Sequence, residues 1–152
     1  MQYRIEQVPA PVVYALRGAI LRPSMSEEGL AFPGDDDPET VTFAAIDGAG
    51  EVVGTGRVAP APGPGVLADR SPSWQLRGMA VREDLRNAGL GRAILERCLA
   101  QVAASGGGVL WCNARTPARS LYARAGFVTE GDEFEIEDVG PHYVMWREVA
   151  PG

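Results

Sequence analysis

The chain has no lysine: all fourteen of its basic residues are arginine. Twenty Asp and Glu outweigh them, giving a net charge of −6, and that sign excludes bulk electrostatic binding of nucleic acid. Arginine number alone therefore carries no argument; only arginine placement does. Cysteine is also scarce. Cys98 and Cys112 are the only two, each in an apolar run, too few for a disulfide framework or a zinc cluster, so both are expected to be free buried thiols and no metal is expected. There is one histidine, His142. No apolar run approaches the roughly 20 residues of a membrane span. Met1-Gln2-Tyr3-Arg4-Ile5-Glu6 lacks a secretory apolar core, so the expectation is a cytoplasmic protein with neither a membrane nor a nucleic-acid partner. The 152 residues, 45% hydrophobic and 22% charged, fit one globular domain over 1–152.

What is present is an alternation of strand and helix signals. Tyr3 to Val8 reads as a strand, closed by Pro9 and Pro11. A helix is expected from Val12 to Arg22, with Val12, Leu16, Ala19 and Ile20 on one face and Pro23 as its stop. Ser24 to Glu39, with Pro33-Gly34 and the acidic run Asp35-Asp36-Asp37, reads as a loop. Strands follow at Thr40 to Asp47 and Glu51 to Ala59, joined by Gly48-Ala49-Gly50. Pro60 to Gly65 is expected to be an exposed connection, and Gln75 to Val81 a further strand. Leu90 to Ala104 is an amphipathic helix with Leu90, Ile94, Leu95, Cys98, Leu99 and Val102 on its buried face, ended by Gly106-Gly107-Gly108. Val109 to Asn113 has the pattern of a central buried strand. Pro117 opens a short helix that Gly126 closes. Phe127 to Ile136 and His142 to Val149 are the last strands. The expected fold class is α/β (α+β), a mixed sheet with helices on both faces.

One segment carries chemistry. Arg86-Asn87-Ala88-Gly89-Leu90-Gly91 is an R-x-x-G-x-G run between a strand and an amphipathic helix. Unpaired amides and the dipole at a helix N-terminus suit a pyrophosphate. Gly89 and Gly91 allow close backbone approach, and Arg86 and Arg92 supply charge. A dinucleotide-binding Rossmann loop would follow the first strand; this one follows the fourth.

Leu76-Arg77-Gly78-Met79-Ala80-Val81, then Arg86 to Gly91, then Asn113, then Leu121-Tyr122-Ala123-Arg124-Ala125-Gly126-Phe127, resembles the GNAT superfamily in order and spacing. The resemblance implies a GNAT acyl-CoA N-acyltransferase fold and acetyl-CoA as cosubstrate. Met79, Ala80 and Val81 would meet the pantetheine arm and thioester, Arg86, Asn87, Ala88, Gly89, Leu90, Gly91 and Arg92 the pyrophosphate, and Asn113 and Ser120 the pantetheine neighbourhood.

Four further segments resemble the glyphosate N-acetyltransferase branch: Tyr14-Ala15-Leu16-Arg17 leading to Ile20-Leu21-Arg22-Pro23, Gln75-Leu76-Arg77-Gly78-Met79-Ala80, Leu110-Trp111-Cys112-Asn113-Ala114-Arg115, and Gly140-Pro141-His142. That likeness implies that Arg22, Arg77 and Arg115 grip an acidic substrate, that His142 is the general base, and that Tyr122 protonates the departing thiolate. Gly18-Ala19 and Pro117-Ala118-Arg119 depart from the branch, and Arg119 is a candidate fourth arginine at the site.

The chemistry is consistent with these roles. Acetyl transfer needs a neutral amine, so a base must take its proton, and histidine titrates near neutrality. Glu133, Glu135 and Glu137 are candidates to hold its ring. Guanidinium groups bind carboxylate and phosphonate by paired hydrogen bonds. The expected activity is direct acetylation of the amine of a small acidic, amino-acid-like molecule. The alternatives are acetylation of a peptide N-terminus or a polyamine, or a non-catalytic acyl-CoA-binding module. A covalent cysteine route lacks an activating base near Cys98 or Cys112.

Overall fold

The computed structural model describes residues 2–20 and 30–152. Its strands are β1 (Tyr3–Val8), β2 (Val41–Asp47), β3 (Val52–Pro60), β4 (Ser73–Val81), β5 (Gly108–Arg115), β6 (Val128–Ile136) and β7 (Gly140–Val149). Its α-helices are α1 (Tyr14–Ile20), α2 (Leu90–Ala104) and α3 (Arg119–Arg124), with 3-10 turns before α1, after β4 and before α3. One sheet takes all seven strands in the order β1-β2-β3-β4-β5-β7-β6. Every neighbouring pair is antiparallel except β4 with β5. That parallel pair is the one joined through a long helix, as a parallel crossover requires. The expected element order and the mixed sheet with helices on both faces are both present.

The sheet is continuous on one side and opened on the other. β4 and β5 pair only from Ser73–Gln75 against Val109–Trp111. β4 runs on to Val81 and β5 to Arg115, so beyond that short ladder the two strands part. The register of β3 with β4 shifts between Thr55 and Arg57, where Gly56 faces both Gly78 and Met79, and Gly78 has a φ of +70°. A bulge of this kind bends the bulged strand. It turns the end of β4 away from β5, and only glycine takes that backbone without strain.

α2 fills the concave face. Leu90, Ile94, Leu95, Cys98 and Val102 are buried against Val58, Leu76, Leu110 and Cys112, the face expected from the 3.6-residue period. Tyr122, Ala125 and Phe127 extend that core, which puts α3 on the same side. Side-chain bulk on β3 limits how closely the helix approaches. A Cβ on Gly56 would lie 2.9 Å from Ile94 Cγ2, and one on Gly54 2.7 Å from Ile94 Cδ1.

α1 packs on the opposite face, and here the sequence reading needs correction. The first turn is 3-10, Ala10–Val13, with Pro11 inside it, before the α-helix begins at Tyr14. Three residues per turn shift the phase of everything that follows. Leu16 is buried as expected, but Val12 and Ala19 are exposed and Val13 and Arg17 are buried in their place. Residues 21 and 22 of the expected helix lie outside the described residues. The Pro60 to Gly65 connection is less exposed than expected. Gly63 is buried beneath Leu67, and Trp111 Nε1 donates to the Ala61 carbonyl at 3.1 Å.

Gly56→Ala should destabilise the protein by about 1–3 kcal/mol, because a stiff, β-branched Ile94 must give way in a filled core. Urea unfolding midpoints of the two proteins test this; equal midpoints would show that α2 retreats without cost.

Candidate active site

A groove of about 830 Å³ follows the parted ends of β4 and β5. Its wall takes Met79, Ala80 and Val81 from β4, Leu85, Arg86, Asn87 and Gly89 from the following loop, and Gly91 and Arg92 from α2. Arg115, Pro117, Ala118, Ser120, Leu121 and Arg124 close the other side, and Ile20 reaches it from the end of α1. Nine of the twelve expected cofactor contacts lie in its wall. Met79, Ala80, Val81, Arg86, Asn87, Gly89, Gly91, Arg92 and Ser120 line the groove, whereas Leu90 turns its side chain into the core at 2% exposure and leaves only its amide to the loop. Ala88 and Asn113 are exposed outside the groove wall.

The phosphate-type loop has the geometry its composition implies. Gly89 is the N-cap of α2 with a φ of +84°, and Asn87 is also left-handed at +66°. Gly89 accepts from Ala93 N–H at 3.1 Å, so the amides of Leu90, Gly91 and Arg92 precede the first intrahelical bond. α2 spans fifteen residues, long enough for the dipole at that end to count. Arg92 is less available than expected, because its Nε donates to Glu96 at 3.1 Å and its Nη1 to the Arg124 carbonyl at 3.3 Å. The further groove arginine is Arg124, not Arg119, whose guanidinium stacks on Tyr143 at 4.5 Å.

Strand alternation sorts the remaining candidates by face. Leu110 and Cys112 point into the α2 core, so Trp111, Asn113 and Arg115 point to the α1 side. Directly opposed residues share a face. Arg115 is opposed to His142, Trp111 to Trp146, and on β4 Arg77 is opposed to Arg57. Arg77, Arg115 and His142 therefore share one face beside the opening, with Arg115 and His142 as immediate cross-strand neighbours. Arg22 lies outside the described residues.

His142 is 4% exposed, and its Nδ1 lies 2.7 Å from the Gly140 carbonyl. A carbonyl only accepts, so Nδ1 carries a hydrogen, and in the neutral ring the lone pair is on Nε2. Phe134, opposite on β6, packs its ring 5.9 Å away at 32°. The three glutamates offered as partners do not hold the ring. Alternation with Phe134 sends Glu133 and Glu135 to the other face of β6, Glu137 is exposed in the turn after it, and Glu133 accepts from Thr116 Oγ1 at 2.8 Å.

Tyr122 sits in the core, edge-on to Phe127 at 5.5 Å, rather than in the groove wall. Burial first, then the nearby Cys112 and Cys98, pushes its phenol well above the usual value of 10. It is a proton donor throughout the working pH range. Burial also pushes Cys98 up to about 12 and raises Cys112 strongly, so neither thiol is a nucleophile at neutral pH.

Sequence reading missed one cluster entirely. Arg17 and Arg57 are 1% and 4% exposed, and both reach Asp35: Arg17 Nη1 at 2.8 Å and Arg57 Nη1 at 2.9 Å. Asp35 also accepts from Phe32 N–H at 2.8 Å. Arg17 donates to the Leu30 carbonyl and Arg57 to that of Pro33. Burial raises the Asp35 pKa, but the hydrogen bonds from Arg17, Phe32 and Arg57 outweigh it and hold the carboxyl below its usual 3.8. Arg17 stood in the sequence as part of a motif and Asp35 as the start of an acidic run. The signal that joins them is a charged residue at a buried helical phase, legible only once the 3-10 turn is known.

A splayed mixed sheet with a glycine-turned helix N-terminus at its opening defines the class of acetyl-CoA-dependent N-acyltransferases. The sequence profile of the acetyltransferase (GNAT) family matches residues 12–127, and the chain belongs to that family. It is 28% identical over 143 residues to YitI, an uncharacterized N-acetyltransferase of Bacillus subtilis, covering 94% of each chain. The fold matches the ribosomal-protein-S18-alanine N-acetyltransferase of Escherichia coli with a TM-score of 0.76 and 19% identity, over 99% of this chain and 96% of that one. It also matches an aminoglycoside 6′-N-acetyltransferase solved with coenzyme A, with a TM-score of 0.69 and 17% identity over 98% of both chains.

Removing the carboxylate at position 35 leaves two guanidinium groups buried without their counter-ion. Asp35→Ala should cost about 3–5 kcal/mol of stability. The depressed pKa fixes the pH dependence. The Asp35 contribution is present above the unfolded value near 3.8 and is lost as pH falls through the lower folded value. Unfolding followed from pH 7 to pH 2 should therefore show a steeper acid loss for the parent than for Asp35→Ala; parallel curves would show the triad to be energetically neutral.

Proposed function

We propose that the protein transfers the acetyl group of acetyl-CoA directly to the amine of a small acidic, amino-acid-like molecule, working as one catalytic domain in the cytoplasm, as a member of the glyphosate N-acetyltransferase branch. The observation that carries this reading is the cross-strand pair of Arg115 and His142 at the opening of the sheet. Opposed side chains start about 4.5–5.5 Å apart. An acid group held by Arg115 would leave an amine one or two bonds away within reach of His142 Nε2. Arg77, on the same face of β4, supplies a second guanidinium, and the resemblance to the glyphosate N-acetyltransferase branch assigns Arg22 as a third.

The groove fits the cosubstrate. Its loop offers helix amides and Arg86 to a pyrophosphate, and the edge of β4 beyond Gln75, unpaired with β5, offers backbone groups to a pantetheine amide. When bound, acetyl-CoA supplies an activated thioester carbonyl. The amine nitrogen attacks that carbon while its proton passes to His142 Nε2; a C–N bond forms and the C–S bond breaks. The electron pair leaves on sulfur, and the acid role proposed for Tyr122 requires its hydroxyl to reach that sulfur from the core behind the groove wall. A phenol held above its ordinary pKa stabilises the thiolate chiefly as a hydrogen-bond donor.

Purified protein with acetyl-CoA should release free thiol with acidic primary or secondary amines and little with polyamines, measured over an amine panel. His142→Ala should lower kcat by roughly 10²–10⁴-fold with acceptor KM nearly unchanged. Arg115→Ala should raise acceptor KM by roughly tenfold or more, the loss of a charge-assisted hydrogen bond. Polyamines or peptide N-termini outperforming acidic amines would overturn the acceptor class. Full turnover by His142→Ala at neutral pH would overturn the base.

A further inference from the structure

Arg77 does not stand alone in its face of the sheet. Its guanidinium lies 4.2 Å from the centroid of the Phe32 ring, and Arg17 lies 4.0 Å from that same ring. Arg57, directly opposite Arg77 across β3 and β4, lies 5.7 Å from it. One aromatic ring is thus shared by three cations. Opposed like charges repel, and a ring quadrupole is one of the few neutral groups that attracts each of them.

The ring is held from two directions. Asp35 accepts the Phe32 amide and both buried arginines, so the backbone at Phe32 is tied to α1 and to β3. From below, the ring rests on the bulge of β4: a Cβ on Gly78 would lie 2.7 Å from Phe32 Cε2. The bulge that parts β4 from β5 also provides the seat for the ring. Arg17 and Arg57 are sealed from any acceptor by burial, and the Nε of each has no hydrogen-bond partner. Arg77 is half-buried on the open side.

We infer that Phe32, fixed by the Arg17–Asp35–Arg57 ion cluster, is a positioning residue that sets the direction of the Arg77 guanidinium toward the acid group of the acceptor. The inference rests on the proposed acidic-acceptor pocket and names the part that gives it specificity. Phe32 itself touches no reacting atom. A flat ring beneath a guanidinium leaves its N–H edge to aim outward in one plane, the geometry that bidentate binding of a carboxylate or phosphonate needs. An aliphatic residue of similar volume would fill the seat without fixing that plane.

Steady-state kinetics of four variants test this. Phe32→Leu should raise KM for the preferred acidic amine roughly tenfold or more, the scale on which misdirected binding groups act. Its KM for acetyl-CoA should stay at the parent value. Phe32→Tyr, which keeps the ring, should restore acceptor KM. Val102→Ala, in the core at the far end of α2, should lower the melting temperature without moving acceptor KM. Arg77→Ala separates the two ideas. If it raises acceptor KM and Phe32→Leu does not, the pocket stands and the positioning role falls. If Arg77→Ala leaves acceptor KM unchanged, both fall. A rise in KM for Phe32→Leu matched by Val102→Ala would also overturn the inference, since general loosening would then explain it.

Discussion

A parallel strand pair that holds together for three residues and then separates is the constraint on which the rest of this structure depends. β4 and β5 share a ladder only at Ser73–Gln75 and Val109–Trp111. Buried backbone groups demand partners, so a strand edge opened in mid-sheet is a standing demand for something that can hydrogen-bond like a strand. The extra residue at Gly78–Met79 makes the opening, and the α2 N-terminus with its left-handed Gly89 lies at its mouth. An amide-bearing arm and a pyrophosphate together meet both requirements. The family to which the chain belongs uses acetyl-CoA, which carries both groups.

The second constraint is electrostatic. A chain of net charge −6 that is to hold an anion must concentrate cations locally. The α1 face gathers Arg17, Arg57, Arg77 and Arg115; the first two are tied to Asp35, and in the proposed reading Arg77 and Arg115 would meet the acid group. Buried ion pairs contribute little net stability against apolar replacements. The value of this one lies in geometry. It joins α1, β3 and the segment leading to β2 into one rigid support under the bulge. Arginine suits the task because a guanidinium can stack on a ring and donate in plane at once, which an ammonium cannot.

Much of this was legible in the sequence, for identifiable reasons. α2 was read to its exact ends because fifteen residues of one period, a glycine loop before and three glycines after leave no competing pattern. The order of elements along the chain followed from where short apolar runs alternate with helices. The loop residues Arg86, Asn87, Gly89 and Gly91 followed from a motif whose geometry is local, and Met79, Ala80 and Val81 from the family resemblance. What failed was non-local or depended on phase. The 3-10 start of α1 rotated its buried face from Val12 and Ala19 to Val13 and Arg17. A charge in a buried position reads as surface until its partner eighteen residues on is known. The glutamates offered to His142 failed on strand parity: side chains adjacent to Phe134 in sequence lie across the sheet from it, and a backbone carbonyl two residues away serves instead.

The two faces of the opening also argue for a single transfer rather than two. Cys98, Cys112 and Tyr122 are all in the α2 core, while His142, Arg77 and Arg115 are on the α1 face. A thiol relay would need its thiolate and its base on one side. His142 is separated from both thiols by the thickness of the sheet, and burial keeps both protonated. The groove wall draws Ile20 and Arg115 from one side and Leu121 from the other, so the opening passes through the sheet. In the proposed reaction an amine arriving from the arginine face meets the thioester in the gap between β4 and β5, with a lone-pair nitrogen behind the amine and a phenol on the side where sulfur departs. In that proposed reaction the sheet would lie between His142 as base and Tyr122 as acid, so that each would exchange its proton with a substrate rather than with the other.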